Sequence, residues 1–349
     1  MNQTKFGRKP KGERLNKIMQ SPNYRNGAFQ NRHDTPNLTE GVTYSEVLKG
    51  FLFGDKKAVK PIDAIPTKKT DLHTLDLNEA ILIWFGHSSY FLQVDRKRIL
   101  VDPVLSGAAS PIAFTTRAFN GSDIYKPEDI PEIDYLFITH DHWDHLDYST
   151  IVKLQPKIKT VICGLGAGEH LEYWGYDTNK IIEKDWDAEF ELDAGFKVNT
   201  ITARHFSGRG FVRNGTLWTS YVLQTPTYKL FLGGDSGYDN HFRETGKKFG
   251  PFDLAILENG QYDKSWKYIH MQPNEVLLAA KDLHSKRLFP VHSSKFALAN
   301  HPWNEPLKRI TELNVIDPTP IELLTPMIGE KISLKDPLPK QTNWWEGIN

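Results

Sequence analysis

The sequence predicts one α+β domain with αββα layering, in which two mixed sheets pack face to face and helices cover the outside. Short β-like runs recur between residues 80 and 291, separated by glycines and charged turns. Helical signals interrupt these runs at two places. No internal repeat or low-complexity linker divides the region, and two packed sheets with outer helices give such a mixture one shared core.

The predicted elements are short and follow one another closely. The β-like runs lie at 80–85, 89–94, 98–101, 135–139, 160–163, 197–203, 220–224, 229–232, 254–257 and 287–291. A helix over 150–154 can be capped by Asp147 or Ser149. A second helix covers 274–283, where apolar side chains recur at helical spacing. We therefore place the domain at residues 76–330.

The two ends of the chain differ from this central region. Residues 1–75 carry Lys and Arg clusters, Gly and Pro punctuation and little periodicity. This pattern predicts an extension that wraps the domain or is partly flexible. Residues 331–349 are interpreted as a C-terminal tail.

Composition limits the partners and the location. The 349 residues carry 43 Lys and Arg against 43 Asp and Glu, so no basic excess favours a nucleic-acid partner. No apolar run approaches the roughly 18–20 residues needed to span a bilayer, and the basic, polar start of the chain has no apolar signal core. Cys163 is the single cysteine and lies in an apolar run, which favours a buried thiol. We expect a cytoplasmic protein.

The densest set of potential metal ligands is the hexapeptide 140–145, His-Asp-His-Trp-Asp-His, directly after a predicted strand. Charged imidazoles packed this closely repel one another, and burying them costs desolvation. A divalent cation removes both problems because it takes neutral histidines and ionised carboxylates as ligands. His140 and His142 can bind one cation, and Asp144 and His145 can bind a second.

Four further candidates follow other predicted strands. Asp102, His205, Asp235 and His292 each lie just beyond a β-like run. Sheet folds gather functional residues at strand ends, and one such residue alone would carry little information. Four of them together with the hexapeptide predict a metal centre assembled from several strands.

At this point the sequence resembles the metallo-β-lactamase superfamily, whose motif H-x-H-x-D-H is followed by a distant His, Asp and His. More narrowly, about residues 80–320 are similar to the N-acyl-phosphatidylethanolamine-hydrolysing phospholipases D and their bacterial relatives. The stretches that carry the resemblance are 85–88, 101–103, 140–147, 234–238, 248–254, His292 and 296–300. The resemblance implies the metallo-β-lactamase fold and a homodimer.

The resemblance also implies a ligand set for two Zn²⁺ ions, with iron and manganese as chemically compatible alternatives. His140, His142 and His205 would bind one ion, Asp144, His145 and His292 the other, and Asp235 would bridge them. Asp102 would orient a ligand imidazole from outside. For His87, a similar outer role and a buried histidine satisfied by the backbone both remain open.

The implied reaction is hydrolysis of a phosphodiester by water that two metals share and acidify. An N-acylphosphatidylethanolamine is the implied substrate, giving an N-acylethanolamine and phosphatidic acid. His270 aligns with a histidine placed at the substrate phosphate, and Trp143 takes the place of a substrate-contacting tyrosine. The resemblance implies that Asp144 and Asp235 are catalytic as well as metal-binding. Glu258 ends a predicted strand where the phospholipases have apolar residues, so we expect it to contact a more polar substrate.

Three rival functions remain at this stage. A sugar-lactone hydrolase of the ascorbate-lactonase branch shares the fold and ligands. A nucleic-acid-processing member of the superfamily is disfavoured by the balanced charge. A metal-bound scaffold without catalysis is the rival of another class. For a lipid substrate, we also expect peripheral contact with the inner face of the membrane.

Overall fold

Two seven-stranded sheets form the centre of the computed structural model, which describes residues 3–54, 58–112, 114–193, 195–210, 212–335 and 342–349. The strands are β1 Tyr24–Arg25, β2 Ala28–Phe29, β3 Ile81–Trp84, β4 Tyr90–Val94, β5 Lys97–Val101, β6 Ile133–Ile138, β7 Ile158–Gly164, β8 Ile181–Lys184, β9 Glu189–Asp193, β10 Phe196–Ile201, β11 Ser220–Gln224, β12 Lys229–Leu232, β13 Leu254–Glu258, β14 Arg287–Val291, β15 Glu322–Leu323 and β16 Lys331–Ser333. The α-helices are α1 Gly12–Met19, α2 Tyr44–Phe53, α3 Tyr148–Leu154, α4 Gly168–Tyr173, α5 His241–Phe249, α6 Pro273–Asp282 and α7 Glu305–Ile316. Short 3-10 helices lie at Gln3–Phe6, Leu72–Thr74, Pro127–Asp129, Gln155–Lys157, Thr178–Lys180 and Lys264–Trp266.

The two sheets share one pairing plan. The first has the order β16-β3-β4-β5-β6-β7-β8, antiparallel as far as β5 and parallel from β5 to β8. The second has the order β15-β14-β13-β12-β11-β10-β9, antiparallel from β9 to β12 and parallel from β12 to β15. Each sheet therefore has a half whose carboxyl ends all point to one edge.

Alternation of side chains produces three apolar layers. In β4, Tyr90 and Leu92 enter a cluster between the sheets with Leu223 of β11, whereas Phe91 faces the opposite side. That outer side packs against α3 and α4. The outer face of the second sheet packs against α5, α6 and α7 through residues such as Val276. Because helices cover both outer faces, the predicted αββα sandwich is confirmed.

The segment before the domain makes long-range contacts with it. The backbone N–H of Phe29 donates to the Asn214 carbonyl at 2.9 Å. The Arg14 guanidinium donates to Glu183 at 2.5 Å and to Glu169 at 2.6 Å. Helices α1 and α2 in this segment had no sequence prediction. Among the described residues, no helix has both the length and the apolar character needed to cross a bilayer.

The C-terminal residues predicted as a tail also contribute to the domain. β16 forms the edge of the first sheet by pairing with β3. Trp344 and Trp345 enter the cluster between the sheets, and Trp345 is only 1% exposed. Strand β16 and these two tryptophans therefore close one end of the core from beyond the boundary predicted at residue 330.

This packing predicts that Trp345→Ala lowers the free energy of unfolding by about 3–5 kcal/mol, since a large buried ring would leave a cavity. The exposed neighbour Asn343 provides a matched control, and Asn343→Ala is expected to change stability by less than about 0.5 kcal/mol. Urea unfolding of both variants measures the difference. Equal midpoints for the two variants would contradict the described packing of Trp345.

Candidate metal centre

The side chains predicted as metal ligands meet at the edge where the parallel halves of both sheets end. Each group stands beyond a strand or in the loop that follows it: His140, His142, Asp144 and His145 after β6, His205 after β10, Asp235 after β12 and His292 after β14. Six of the seven groups are buried and His142 is partly buried, so these groups have little contact with water. The structure thus brings all seven predicted ligands into one region.

Three histidines present nitrogens to a common point. Nε2 of His140 lies 2.9 Å from Nδ1 of His142, and Nε2 of His205 lies 3.3 Å from the same atom. Nitrogens that share a tetrahedral zinc ion are separated by about 3.3 Å, given Zn–N distances near 2.05 Å. The three imidazoles therefore stand at the spacing that one cation requires.

A second group of donors lies beside the first. Oδ2 of Asp144 is 3.3 Å from Nε2 of His292 and 3.5 Å from Nε2 of His145. The three side chains are buried, and a potential ligand atom from each lies within 4.8 Å of the other two. They can hold a cation by two imidazoles and a carboxylate.

Asp235 lies between the two groups. Its Oδ2 is 3.2 Å from Nε2 of both His145 and His292. The same oxygen is 3.7 Å from Nε2 of His205 and 3.9 Å from Nε2 of His140. Asp235 is therefore placed to contact ligands of both groups.

The buried carboxylates of this region have strongly shifted pKa values. Burial raises the pKa of Asp144 and Asp235, but the neighbouring histidines, His145 above all, hold both carboxyls well below their ordinary pKa. Among the described residues, Nε2 of His145 and Oδ1 of Asp235 have no hydrogen-bond partner although both are buried. Unpartnered buried donors and acceptors are costly, and a bound metal ion would satisfy them. The donor set therefore fits a metal.

Outer groups fix the orientation of the ligands. Nδ1 of His145 donates to Oδ2 of Asp102 at 2.7 Å, which leaves Nε2 directed at the other ligands. Asp102 also accepts from the backbone N–H and the hydroxyl of Thr139, at 2.9 and 2.6 Å. Nδ1 of His205 donates to the Ile269 carbonyl at 3.0 Å. Such contacts select the tautomer that a metal needs.

Glu258 requires a correction. Its carboxylate is fully buried and accepts from Nδ1 of His270 at 2.7 Å and from the backbone N–H of Met271 at 2.8 Å. Nδ1 of His292 lies 3.2 Å from the same carboxylate. The sequence predicted a substrate contact because Glu258 ends a strand at a position where the phospholipases have apolar residues. Instead, it points inward and orients two imidazoles.

His270 is placed beside the ligands without being one of the seven. Its ring centroid is 5.0 Å from that of His205 and 5.1 Å from that of His292. Because Glu258 takes Nδ1, Nε2 remains for another partner. The side chain is 11% exposed, so it lies at the boundary between the buried ligands and the outside.

His87 is fully buried against the second group of ligands. Its Nε2 donates to Oδ2 of Asp144 at 2.9 Å, and its ring centroid is 4.3 Å from that of His292. Burial lowers the pKa of His87 to about 3, with the charge of His292 adding to the effect. A neutral imidazole therefore holds the Asp144 carboxylate. Of the two readings left open by the sequence, the contact with Asp144 favours the outer, orienting role.

Aromatic side chains flank the ligands. Trp143 packs edge-on against Phe6 at 5.1 Å, and the guanidinium of Arg209 lies 4.0 Å from its ring centroid. Phe206 lies 4.5 Å from the ring of His142. Trp143, Phe6 and Phe206 are all partly exposed, so they give the site an apolar border.

Sequence reasoning missed several residues of this region. Thr139 and Phe206 stand next to ligands in the chain, and their proximity was the only available signal. Phe6 and Asn31 come from the N-terminal segment, where Asn31 contacts the backbone of His205. Nothing in the local sequence of that segment indicates such contacts.

The contact between Asp102 and His145 predicts that Asp102→Asn weakens metal binding about 10–100-fold. An amide has one acceptor oxygen, whereas the Asp102 carboxylate serves Thr139 and His145 with two. Asp147 provides a matched control because it is a buried aspartate that caps α3. Competition with a chromophoric chelator measures the affinity. Equal affinities for Asp102→Asn and Asp147→Asn would contradict the orienting role.

Comparisons with known proteins agree with this geometry. Residues 97–293 match the family described as the beta-lactamase superfamily domain. An uncharacterized protein of Mycobacterium tuberculosis is 35% identical over 340 residues, covering 93% of this chain and 88% of the relative. N-acyl-phosphatidylethanolamine-hydrolyzing phospholipase D 1 of Caenorhabditis elegans is 29% identical over 249 residues, covering 66% of this chain and 68% of the relative.

A solved structure with the same fold is that of a metallo hydrolase from the hyperthermophilic archaeon Ignicoccus hospitalis. It covers 73% of this chain and 97% of its own, with a TM-score of 0.54 and 20% identity. The family match spans more than half of the chain and contains all seven candidate ligands. The chain therefore belongs to the metallo-β-lactamase superfamily, as a metal-dependent hydrolase related to the N-acyl-phosphatidylethanolamine-hydrolysing phospholipases D.

Proposed function

We propose that this protein is a dinuclear zinc-dependent phosphodiesterase of phospholipase D type, acting on N-acylphosphatidylethanolamine-like substrates. The observation that carries the proposal is the position of His270, an eighth group that Glu258 holds next to the seven metal-binding ones. Metal binding alone does not require it. A histidine there suits a substrate whose oxygens need a hydrogen-bond donor in addition to metals.

The ligands divide into two sets that share one carboxylate. His140, His142 and His205 would hold one zinc ion, Asp144, His145 and His292 the other, and Asp235 both. Zinc suits a histidine-rich hydrolytic site without thiolates. Two bound zinc ions would acidify water and neutralise charge on the substrate oxygens.

His270 would act on the leaving side of the reaction. Water adds its oxygen to phosphorus, the bond from phosphorus to the ethanolamine oxygen breaks, and that oxygen takes up a proton. Phosphatidic acid and an N-acylethanolamine are the products. Nε2 of His270 can donate to a phosphoryl oxygen or to the departing oxygen, because Glu258 engages Nδ1 at 2.7 Å.

The border of the site favours a substrate with a large apolar part. Trp143, Phe206 and Phe6 are partly exposed aromatic side chains next to the ligand loops. Relatives named as N-acyl-phosphatidylethanolamine-hydrolyzing phospholipases D occur in Caenorhabditis elegans and Saccharomyces cerevisiae, at 29% and 28% identity. A sugar lactone, the substrate class of the rival hydrolase, would make little use of such a border.

The direct test offers zinc-loaded protein an N-acylphosphatidylethanolamine in mixed micelles and, separately, a panel of sugar lactones. We expect release of N-acylethanolamine, reduced at least about 100-fold in Asp144→Asn and in Asp235→Asn, since each loses a ligand carboxylate. Mass spectrometry measures the product. Hydrolysis of lactones but not the phospholipid would replace the proposal by the rival, and full activity in both variants would contradict the metal mechanism.

A second prediction concerns His270. His270→Ala is expected to lower kcat about 10²–10⁴-fold, the range that proton transfer by a positioned side chain contributes. Zinc stoichiometry should remain unchanged, since the seven ligands are intact. His73 is an exposed histidine distant in sequence from every ligand, and His73→Ala serves as the control. Loss of a zinc ion in His270→Ala would make His270 a ligand and contradict this role.

A further inference from the structure

The side chain of Asn31 holds the backbone of a metal ligand from the N-terminal segment. Its Nδ2 donates to the carbonyl of His205 at 2.7 Å, and its Oδ1 accepts from the backbone N–H of His205 at 3.2 Å. The indole N–H of Trp218 also reaches Oδ1, at 3.2 Å. One amide therefore fixes both polar groups of the residue that carries the ligand.

These contacts complete the restraint of His205. The imidazole is held at Nδ1 by the Ile269 carbonyl, and its Nε2 points at His142, 3.3 Å away. Without the amide of Asn31, the restraint on the ring would remain while the restraint on the backbone would weaken. A ligand placed by a loop depends on both, because a small backbone shift moves the nitrogen away from the other donors.

Through Arg209, the same segment also reaches the loop that carries four of the other ligands. The carbonyl of Lys5 accepts from Nη2 of Arg209 at 2.9 Å. Arg209, in turn, donates from Nη1 to the carbonyls of Asp141 and Leu146, at 2.8 and 2.6 Å, and these two residues bracket the loop 142–145. The N-terminal segment thus contacts the ligand loop of the second sheet directly and that of the first sheet through Arg209.

We propose that Asn31 is a positioning residue of the metal centre, through which the N-terminal segment sets the place of His205. It does not bind metal itself. Its amide acts on the backbone, so the effect on the metal runs through the position of one imidazole. The inference rests on the metal binding described under the proposed function and is independent of the substrate.

A purely structural anchor would behave differently, and the chain offers a matched comparison. Asn23 belongs to the same segment and fastens it to the domain by donating from Nδ2 to Asp185 at 2.8 Å. Neither Asn23 nor Asp185 is a predicted ligand or a described neighbour of one. If Asn31 only anchors the segment, replacing either asparagine should affect metal binding equally.

The experiment measures the affinity for Zn²⁺ by competition with a chromophoric chelator, using full-length protein stripped of metal. Asn31→Ala is expected to weaken at least one site about 10–100-fold, the usual cost of losing an outer positioning contact. Asn23→Ala is expected to leave both affinities within about twofold of wild type. Thermal unfolding of the metal-free proteins records the loss of stability common to both variants.

A second variant separates positioning from charge and serves if Asn31→Ala does not fold. Asn31→Asp is nearly isosteric but places a carboxylate oxygen against the His205 carbonyl. Added negative charge alone would strengthen cation binding, whereas displacement of His205 would weaken it. We expect weaker binding. The inference would be overturned if Asn31→Asp bound Zn²⁺ as tightly as wild type or more tightly. It would also be overturned if Asn31→Ala and Asn23→Ala lost equal affinity. A wild-type protein that binds no Zn²⁺ would instead overturn the proposed function.

Discussion

The concentration of buried polar groups around Asp235 is the constraint on which the rest of the site depends. Its Oδ2 lies within 3.9 Å of four histidine nitrogens, in a region from which water is largely excluded. Such a cluster is unfavourable unless a cation compensates it. The outer contacts follow from this requirement, because Asp102, Glu258 and the Ile269 carbonyl each hold the second nitrogen of an imidazole. With Nδ1 held in this way, the Nε2 lone pairs of His145, His205 and His292 are directed toward the other ligands.

The two sheets make this concentration feasible. Parallel strands deliver their carboxyl ends to one edge, so residues far apart in the chain can stand within hydrogen-bond distance of one another. The core between the sheets fixes their separation, and the tryptophans near the C-terminus extend that core. Contacts from the N-terminal segment then hold the loops at the edge. Precision at the centre therefore depends on parts of the chain outside the residues matched by the family.

Residue chemistry explains how much of the fold and of the candidate site could be predicted from the sequence. The fold class was readable from the β-like runs, and the candidate ligands could be named because a metal demands particular side chains and these stand at strand ends. Glu258 was misjudged because a residue that ends a strand can turn outward or inward, and only the positions of His270 and His292 decide which. The role of Asn31 could not be predicted, because its side chain contacts backbone groups 174 positions away and every residue type has such groups. The burial of Trp345 likewise could not be predicted from the local sequence, because it depends on the assembled core between the sheets.

The central claim is that two zinc ions share Asp235 within one buried site. Crystals of the zinc-loaded protein, measured on either side of the zinc absorption edge, test it directly. The account predicts two anomalous peaks, one among His140, His142 and His205 and the other among Asp144, His145 and His292. A single peak, or peaks centred on Glu258 and His270 instead, would contradict it.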